Sequence, residues 1–187
     1  MPIIKTTKEE IIWKSLQLFR KQGYYRTSMA DLATATGLTK GVFYHHFSSK
    51  EELMKTVLQA MIQWFDEKVF SVAYQTTLSP QERIDKMTEK AYKAFTNELG
   101  GCLIANTVLE TAHVEETFLE ELKLFFQLWE KAIAKVFEEK YAPQVLPEIA
   151  QQIIADIEGS IVLMQLHKNP EYLQKALHRT RKLLDRI

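Results

Sequence analysis

An all-α chain in two parts, a small basic unit followed by a larger acidic body, is the fold class that three features predict. Apolar residues recur at the helical period of three to four through most of the chain. The six Gly and five Pro stand near helix ends or turns, Gly41 and Gly159 excepted, so little interrupts that period. The charge balances overall, yet residues 1–50 hold eight Lys and Arg against three acids, while the remainder holds sixteen against twenty-one. A basic end on an acidic body is the asymmetry expected where one end faces phosphates.

Composition narrows the function classes. A chain of 187 residues, 46% hydrophobic and 26% charged, is long enough for one or two units with a substantial core. No apolar run reaches transmembrane length, and the opening MPIIKTTKEE lacks the charged-then-apolar order of a signal peptide. A single Cys excludes an intrachain disulfide and suits a reducing compartment, so a cytoplasmic protein without a membrane partner is expected. No phosphate loop or Ser/His/Asp arrangement stands in local context, which argues against an enzyme and implies no cofactor. A metal site from Cys102 and His113 is weakly supported, because no close Cys/His pair at ligand spacing exists, and none is assigned.

Thr7 is placed to cap the first helix, with Glu9 and Glu10 in its N-terminal turn where the dipole favours acids. Ile11, Ile12, Ser15, Leu16 and Phe19 give its period and Gly23 closes it, while Trp13 lies off the stripe and is expected under the following long helix. Ser28 with Asp31 is a near capping box that starts a second helix at Met29, and Gly37 ends it in a left-handed conformation. Thr39 caps a third helix over Lys40–His46. Ser48 and Ser49 with Glu51 and Glu52 then stop it and open another at Lys50. Two short helices joined by a Gly-containing turn make a helix-turn-helix, whose second helix lies in a DNA major groove.

That third helix carries suitable chemistry. Val42, Phe43 and Phe47 are expected to pack inward, leaving Thr39, Lys40, Gly41, Tyr44 and His45 outside. Gly41 permits close approach to base edges, Lys40 can donate to guanine, and Thr39 and Tyr44 offer hydroxyls to phosphates or a face to a thymine methyl. Lys50, in a helical first turn, can join the backbone N–H groups there in gripping a phosphate.

The segment from about Ile11 to Leu58, through SLQLFRKQGYYRTSMADLA and GLTKGVFYHHFSSKEEL, resembles the DNA-binding domain of the TetR/AcrR family of bacterial transcription regulators. The resemblance implies base and backbone contacts for Thr39, Lys40 and Gly41, and phosphate or base contacts for Tyr44 and His45. It implies a phosphate contact for Lys50, backbone contacts for Arg26, Thr27 and the neighbouring Ser28, and a phosphate or packing role for His46. It also implies a homodimer on a palindromic double-stranded operator, and a small-molecule effector that relieves repression by tilting the helix that starts at Lys50. A DNA-binding domain over 1–50 and an effector-binding and dimerisation domain over 51–187 are expected.

In that second part a helix is expected to run from Lys50 to about Tyr74, and Ser79-Pro80-Gln81-Glu82 opens another that ends near Leu99 at Gly100-Gly101. Cys102 to His113 reads as a short helix with Cys102, Asn106, Glu110 and His113 on one face. Two readings of that face stand: an effector pocket, or a solvated face with Cys102 packing as a small hydrophobe. Trp64, Phe65, Tyr92, Phe95, Phe126 and Trp129 are the aromatic side chains expected to line the same pocket. The run Gly100-Gly101-Cys102-Leu103 with Asn106 resembles a subgroup of these regulators, some of which sense electrophiles through that Cys; the alternative is an inert thiol. A helix from Glu115 or Glu116 to about Tyr141 follows. Two last amphipathic helices, opening at Pro147 and Asn169-Pro170, are expected to form an intermolecular four-helix bundle with Ile157 and Ile161 in the contact. The competing reading of the chain is a helical protein-interaction module that does not bind DNA.

Overall fold

The computed structural model describes residues 7–96, 101–114 and 116–185. Among them the chain forms α1 (Lys8–Gln22), α2 (Met29–Thr36), α3 (Lys40–His46), α4 (Lys50–Lys68), α5 (Pro80–Phe95), α6 (Leu103–Thr111), α7 (Leu119–Phe137), α8 (Leu146–His167) and α9 (Glu171–Asp185), with no strand in the described residues. No helix among them is long and apolar enough to cross a membrane. Two compact units result: one ends at Ile62 and takes in Leu103–Lys123, and the other comprises Gln63–Cys102 and Leu124–Ile187.

The helix starts follow local chemistry. Thr7, Ser28 and Ser79 each accept from the N3 backbone N–H, while the N3 acid side chain accepts from the cap's own N–H, so reciprocal capping boxes open α1, α2 and α5. At α4 the Glu52 N–H donates to Ser49 Oγ at 3.1 Å. The Glu52 carboxylate accepts from the Ser48 N–H at 2.9 Å. Each such cap contributes about 1 kcal/mol. At α9 Asn169 Oδ1 accepts from the Glu171 N–H.

In the first unit α1 packs on α2 and on α6. Ile11, Phe19, Leu32, Phe43, Phe47, Leu53, Met54, Val57, Leu58 and Phe118 are buried there. Burying each such large side chain contributes roughly 1.5–3 kcal/mol. The expected division at residue 50 follows a helix start, whereas the apolar stripe of α4 stays in the first unit as far as Ile62.

The second unit is built on aromatic packing. Phe65 meets Phe125 edge to face at 5.2 Å. Phe95 and Phe126 each stack on Trp129, at 6.2 and 6.4 Å. Arg83, buried on α5, donates to Ala73 O at 3.0 Å and to Glu139 Oε1 at 2.5 Å, tying the 3₁₀ turn Phe70–Tyr74 and the segment after α7 to α5.

Several expectations are corrected. The helix from Lys50 ends at Lys68, and Phe70–Tyr74 is a 3₁₀ turn. Val69, Phe70, Val72 and Ala73 are all buried, and a continuing α-helix would point some of them outward. The expected end of α5 at Leu99 lies outside the described residues. The next long helix begins at Leu119 and ends at Phe137, shorter than the 115–141 expected. Trp13 is 53% exposed and does not pack beneath α4, and Val42 is 47% exposed because Phe43 and Phe47 alone fill the inner side of α3. Ile157 and Ile161 are each 3% exposed, so they belong to the chain's own core; Val162, Leu163 and Leu166 form the outward apolar side of α8.

Candidate nucleic-acid interface

Two short helices and the turn between them position the candidate interface. Gly37 ends α2 at φ 75°, ψ 17°, and its N–H donates back to Ala33 and Thr34 carbonyls. Only glycine takes this left-handed conformation without steric cost. Leu38 donates to Ala33 O as well, so the chain reverses in three residues before Thr39 caps α3.

Fixed from below by Phe43 and Phe47, α3 turns Thr39, Lys40, Gly41, Val42, Tyr44 and His45 to the outside. A Cβ at Gly41 would meet nothing within 4 Å, so the protein's own packing does not call for glycine there. His46 is half-buried at the end of the helix beside His45. A lysine, two hydroxyls, an imidazole and a bare backbone on one exposed helical face can donate to base edges and phosphates at once.

The flanking residues divide. Arg26 is exposed in the turn between α1 and α2. Thr27 is buried and its hydroxyl donates to Gly23 O at 2.6 Å, so that side chain builds the turn and does not reach outward. Ser28 is exposed but spends its hydroxyl on Asp31, donating to Oδ2 at 2.6 Å. The Ser28 hydroxyl and then its N–H hold the Asp31 carboxyl below the ordinary carboxylate range. Lys50 Nζ donates to Tyr24 O at 2.9 Å and lies 4.2 Å from the Tyr24 ring centroid, so its charge already has an internal partner.

The residues expected to line an effector pocket are not all brought together. Phe65, Phe95, Phe126 and Trp129 share the aromatic cluster of the second unit. Tyr92 is half-buried, with its hydroxyl accepting from Gln174 Nε2, and Trp64 is largely exposed at the edge against Phe65. The single face expected for Cys102, Asn106, Glu110 and His113 is corrected. Cys102 precedes α6, and His113 falls in the turn beyond its end at Thr111. Asn106 and Glu110 remain on the helix, and Glu110 accepts from the backbone N–H groups of Tyr24 and Tyr25.

One residue of the second unit was missed. Glu158 on α8 is largely buried, and Oε1 has no hydrogen-bond partner. Burial pushes its carboxyl up to about 7, a hydrogen bond with Cys102 acting in the opposite sense. The signal that could have found it is its place in IIADIEGSIVLM, one residue after Ile157 and three before Ile161, where Asp156 and Glu158 are the two acids among mostly apolar neighbours.

Comparison with known proteins places this geometry. Residues 11–57 match the model of bacterial regulatory proteins of the tetR family. Residues 80–179, over half of the chain, match the LmrA/YxaF-like transcriptional regulator C-terminal domain. An uncharacterised HTH-type transcriptional regulator in the lacX 3' region of Lactococcus lactis subsp. lactis is 28% identical over 91% of this chain and 89% of its own. The HTH-type transcriptional repressor DhaR of Mycobacterium sp. (strain GP1) is 26% identical over 91% and 88%. The crystal structure of a TetR transcriptional regulator from Legionella pneumophila superposes with a TM-score of 0.85, at 24% identity, over 98% of this chain and 99% of that one. With a helix-turn-helix at its N-terminal end and a matching helical C-terminal domain, the chain belongs to the TetR family and is a DNA-binding transcriptional regulator, not an enzyme.

Proposed function

We propose that this chain is a cytoplasmic, ligand-responsive repressor that binds a palindromic operator as a homodimer and leaves it when a small molecule occupies the second unit. The observation that carries the reading is the outer face of α3, where Lys40, Tyr44 and His45 are exposed around a Gly41 that the fold itself does not require. Thr39, Lys40 and Gly41 meet bases and the adjoining backbone; Tyr44, His45, His46 and Arg26 meet phosphates. Ser28 and Thr27 shape the approach, and Lys50 stiffens it through Tyr24. Two recognition helices in a dimer match half-sites one helical turn apart or a multiple of it. The aromatic cluster of Phe65, Phe95, Phe126 and Trp129 supplies the apolar lining that a flat or hydrophobic effector needs. A dimer through α8 and α9 fits the outward Val162, Leu163 and Leu166.

Binding of the full chain to a duplex spanning the region beside its own coding sequence tests the reading, with salt raised stepwise. Affinity should fall steeply as counterions compete for phosphates. A protein-interaction module would show no such duplex binding at any salt.

A further inference from the structure

The residue that ties α6 to the helix-turn-helix unit is Glu110. Its Oε2 accepts from the Tyr24 N–H at 2.8 Å and from the Tyr25 N–H at 3.3 Å. Gly23 makes room for it: a Cβ there would sit 2.5 Å from Glu110 Oε1. The same Tyr24 peptide is held from the other side, because Lys50 of α4 donates to its carbonyl at 2.9 Å. The Tyr24 ring is fixed as well, edge-on to Phe118 at 4.9 Å and with its hydroxyl donating to Glu51 at 3.1 Å. A basic and an acidic side chain from two different helices therefore grip one turn.

What that turn carries gives the grip its consequence. Gly23 is the C-cap of α1, and five residues later Ser28 is the N-cap of α2. Between them stand the exposed Arg26 and the buried Thr27, whose hydroxyl closes back on Gly23 O. A carboxylate at the last turn of α6 and beside the end of α1 faces the negative ends of both helix dipoles, so general electrostatics do not place it there. The two N–H groups do. Such charge-assisted bonds depend steeply on distance and angle, so a displacement of α6 by about an ångström weakens both.

We propose that Glu110 is a positioning residue for operator binding: its carboxylate fixes the turn of residues 23–28, and loss of that hold lowers operator affinity. This rests on the DNA-binding reading above. The full-length protein, Glu110→Ala and Glu110→Gln are compared on the duplex beside the coding sequence and on an unrelated duplex of equal length, well below each melting temperature. Glu110→Ala should lose roughly tenfold or more in affinity for the first duplex, the equivalent of losing one charge-assisted bond. Binding to the unrelated duplex, set by counterion release, should stay within about twofold. Glu110→Gln keeps a neutral acceptor and should fall between, and the Tyr24 and Tyr25 amides should exchange hydrogen faster in Glu110→Ala. A folded Glu110→Ala that melts lower yet binds the first duplex as the parent does overturns the proposal, since the carboxylate would then serve stability alone. If Glu110→Ala does not fold, parental operator affinity in Glu110→Gln overturns it. A parent that binds neither duplex overturns the DNA-binding reading itself, whereas a parent that binds beside an unaffected variant sinks only the role of Glu110.

Discussion

Cys102, the residue before α6, is hydrogen-bonded to the buried carboxyl of Glu158 on α8. Burial raises that carboxyl from its ordinary 4.5 to about 7, and the thiol offsets only part of the cost. The sign of the pH dependence follows. Between pH 4.5 and 7 the folded protein keeps a proton that the unfolded chain releases, so stability falls as pH rises through this window and levels off above it. The penalty at pH 8 is on the order of 3 kcal/mol. Glu158→Gln should therefore raise the melting temperature at pH 8 and change it little at pH 5. Equal effects at the two pH values would show that Glu158 is not held against its own ionisation.

The same pair decides how the thiol behaves. Cys102 precedes α6, is 2% exposed and sits against the Glu158 carboxyl, so its sulfur is closed to reagents in solution. N-ethylmaleimide at neutral pH should leave native Cys102 unmodified over a time in which the unfolded chain reacts fully. Mass spectrometry reads the outcome. Rapid native modification, with loss of operator binding that Cys102→Ser resists, would instead make this thiol an electrophile sensor.

In the proposed interface, substitution of Gly41 should separate folding from recognition. Glycine inside a helix costs roughly 0.5–1 kcal/mol relative to alanine, and a Cβ at this position meets nothing within 4 Å. Gly41→Ala should thus be more stable than the parent by about that amount in thermal unfolding and bind its operator more weakly. Lys40→Ala should leave stability alone and blur sequence choice by about 1–3 kcal/mol at a guanine position. Stronger operator binding by Gly41→Ala would remove α3 from the groove.

How far the sequence could be read depended on whether an interaction was local. Thr7 with Glu10, Ser28 with Asp31 and Ser79 with Glu82 are three residues apart, so their capping boxes were visible as letters, and the N-terminal unit followed from them. Glu110 with Tyr24 is 86 positions apart, and nothing in either neighbourhood announces it. Placing Asn106, Glu110 and His113 with Cys102 followed helical spacing correctly but assumed a helix that extends past both its real ends. Lys50 was legible as a helix N-terminal cation and not as the partner of Tyr24 O, because a lysine beside a phosphate site and a lysine beside a carbonyl are spelled alike.

The α8 helix shows the same limit at the proposed dimer contact. Ile153, Ile154, Ile157, Ile161 and Met164 are buried in the chain's own core, and Val162, Leu163 and Leu166 are exposed on the other side. Apolar residues all round a helix leave its period undecided, so spacing alone put Ile157 and Ile161 on the wrong side. In the proposed homodimer a symmetric contact would place the exposed apolar side of α8 against its copy. Val162→Glu with Leu166→Glu should yield a folded monomer by sedimentation, with a helical circular dichroism spectrum like the parent's and operator affinity down by at least about tenfold, since one protomer reaches only one half-site. Ile157→Glu should behave differently, losing roughly 3 kcal/mol or more of stability by burying an unpaired charge in the core. A Val162→Glu, Leu166→Glu protein that stays dimeric would move the interface off this face of α8.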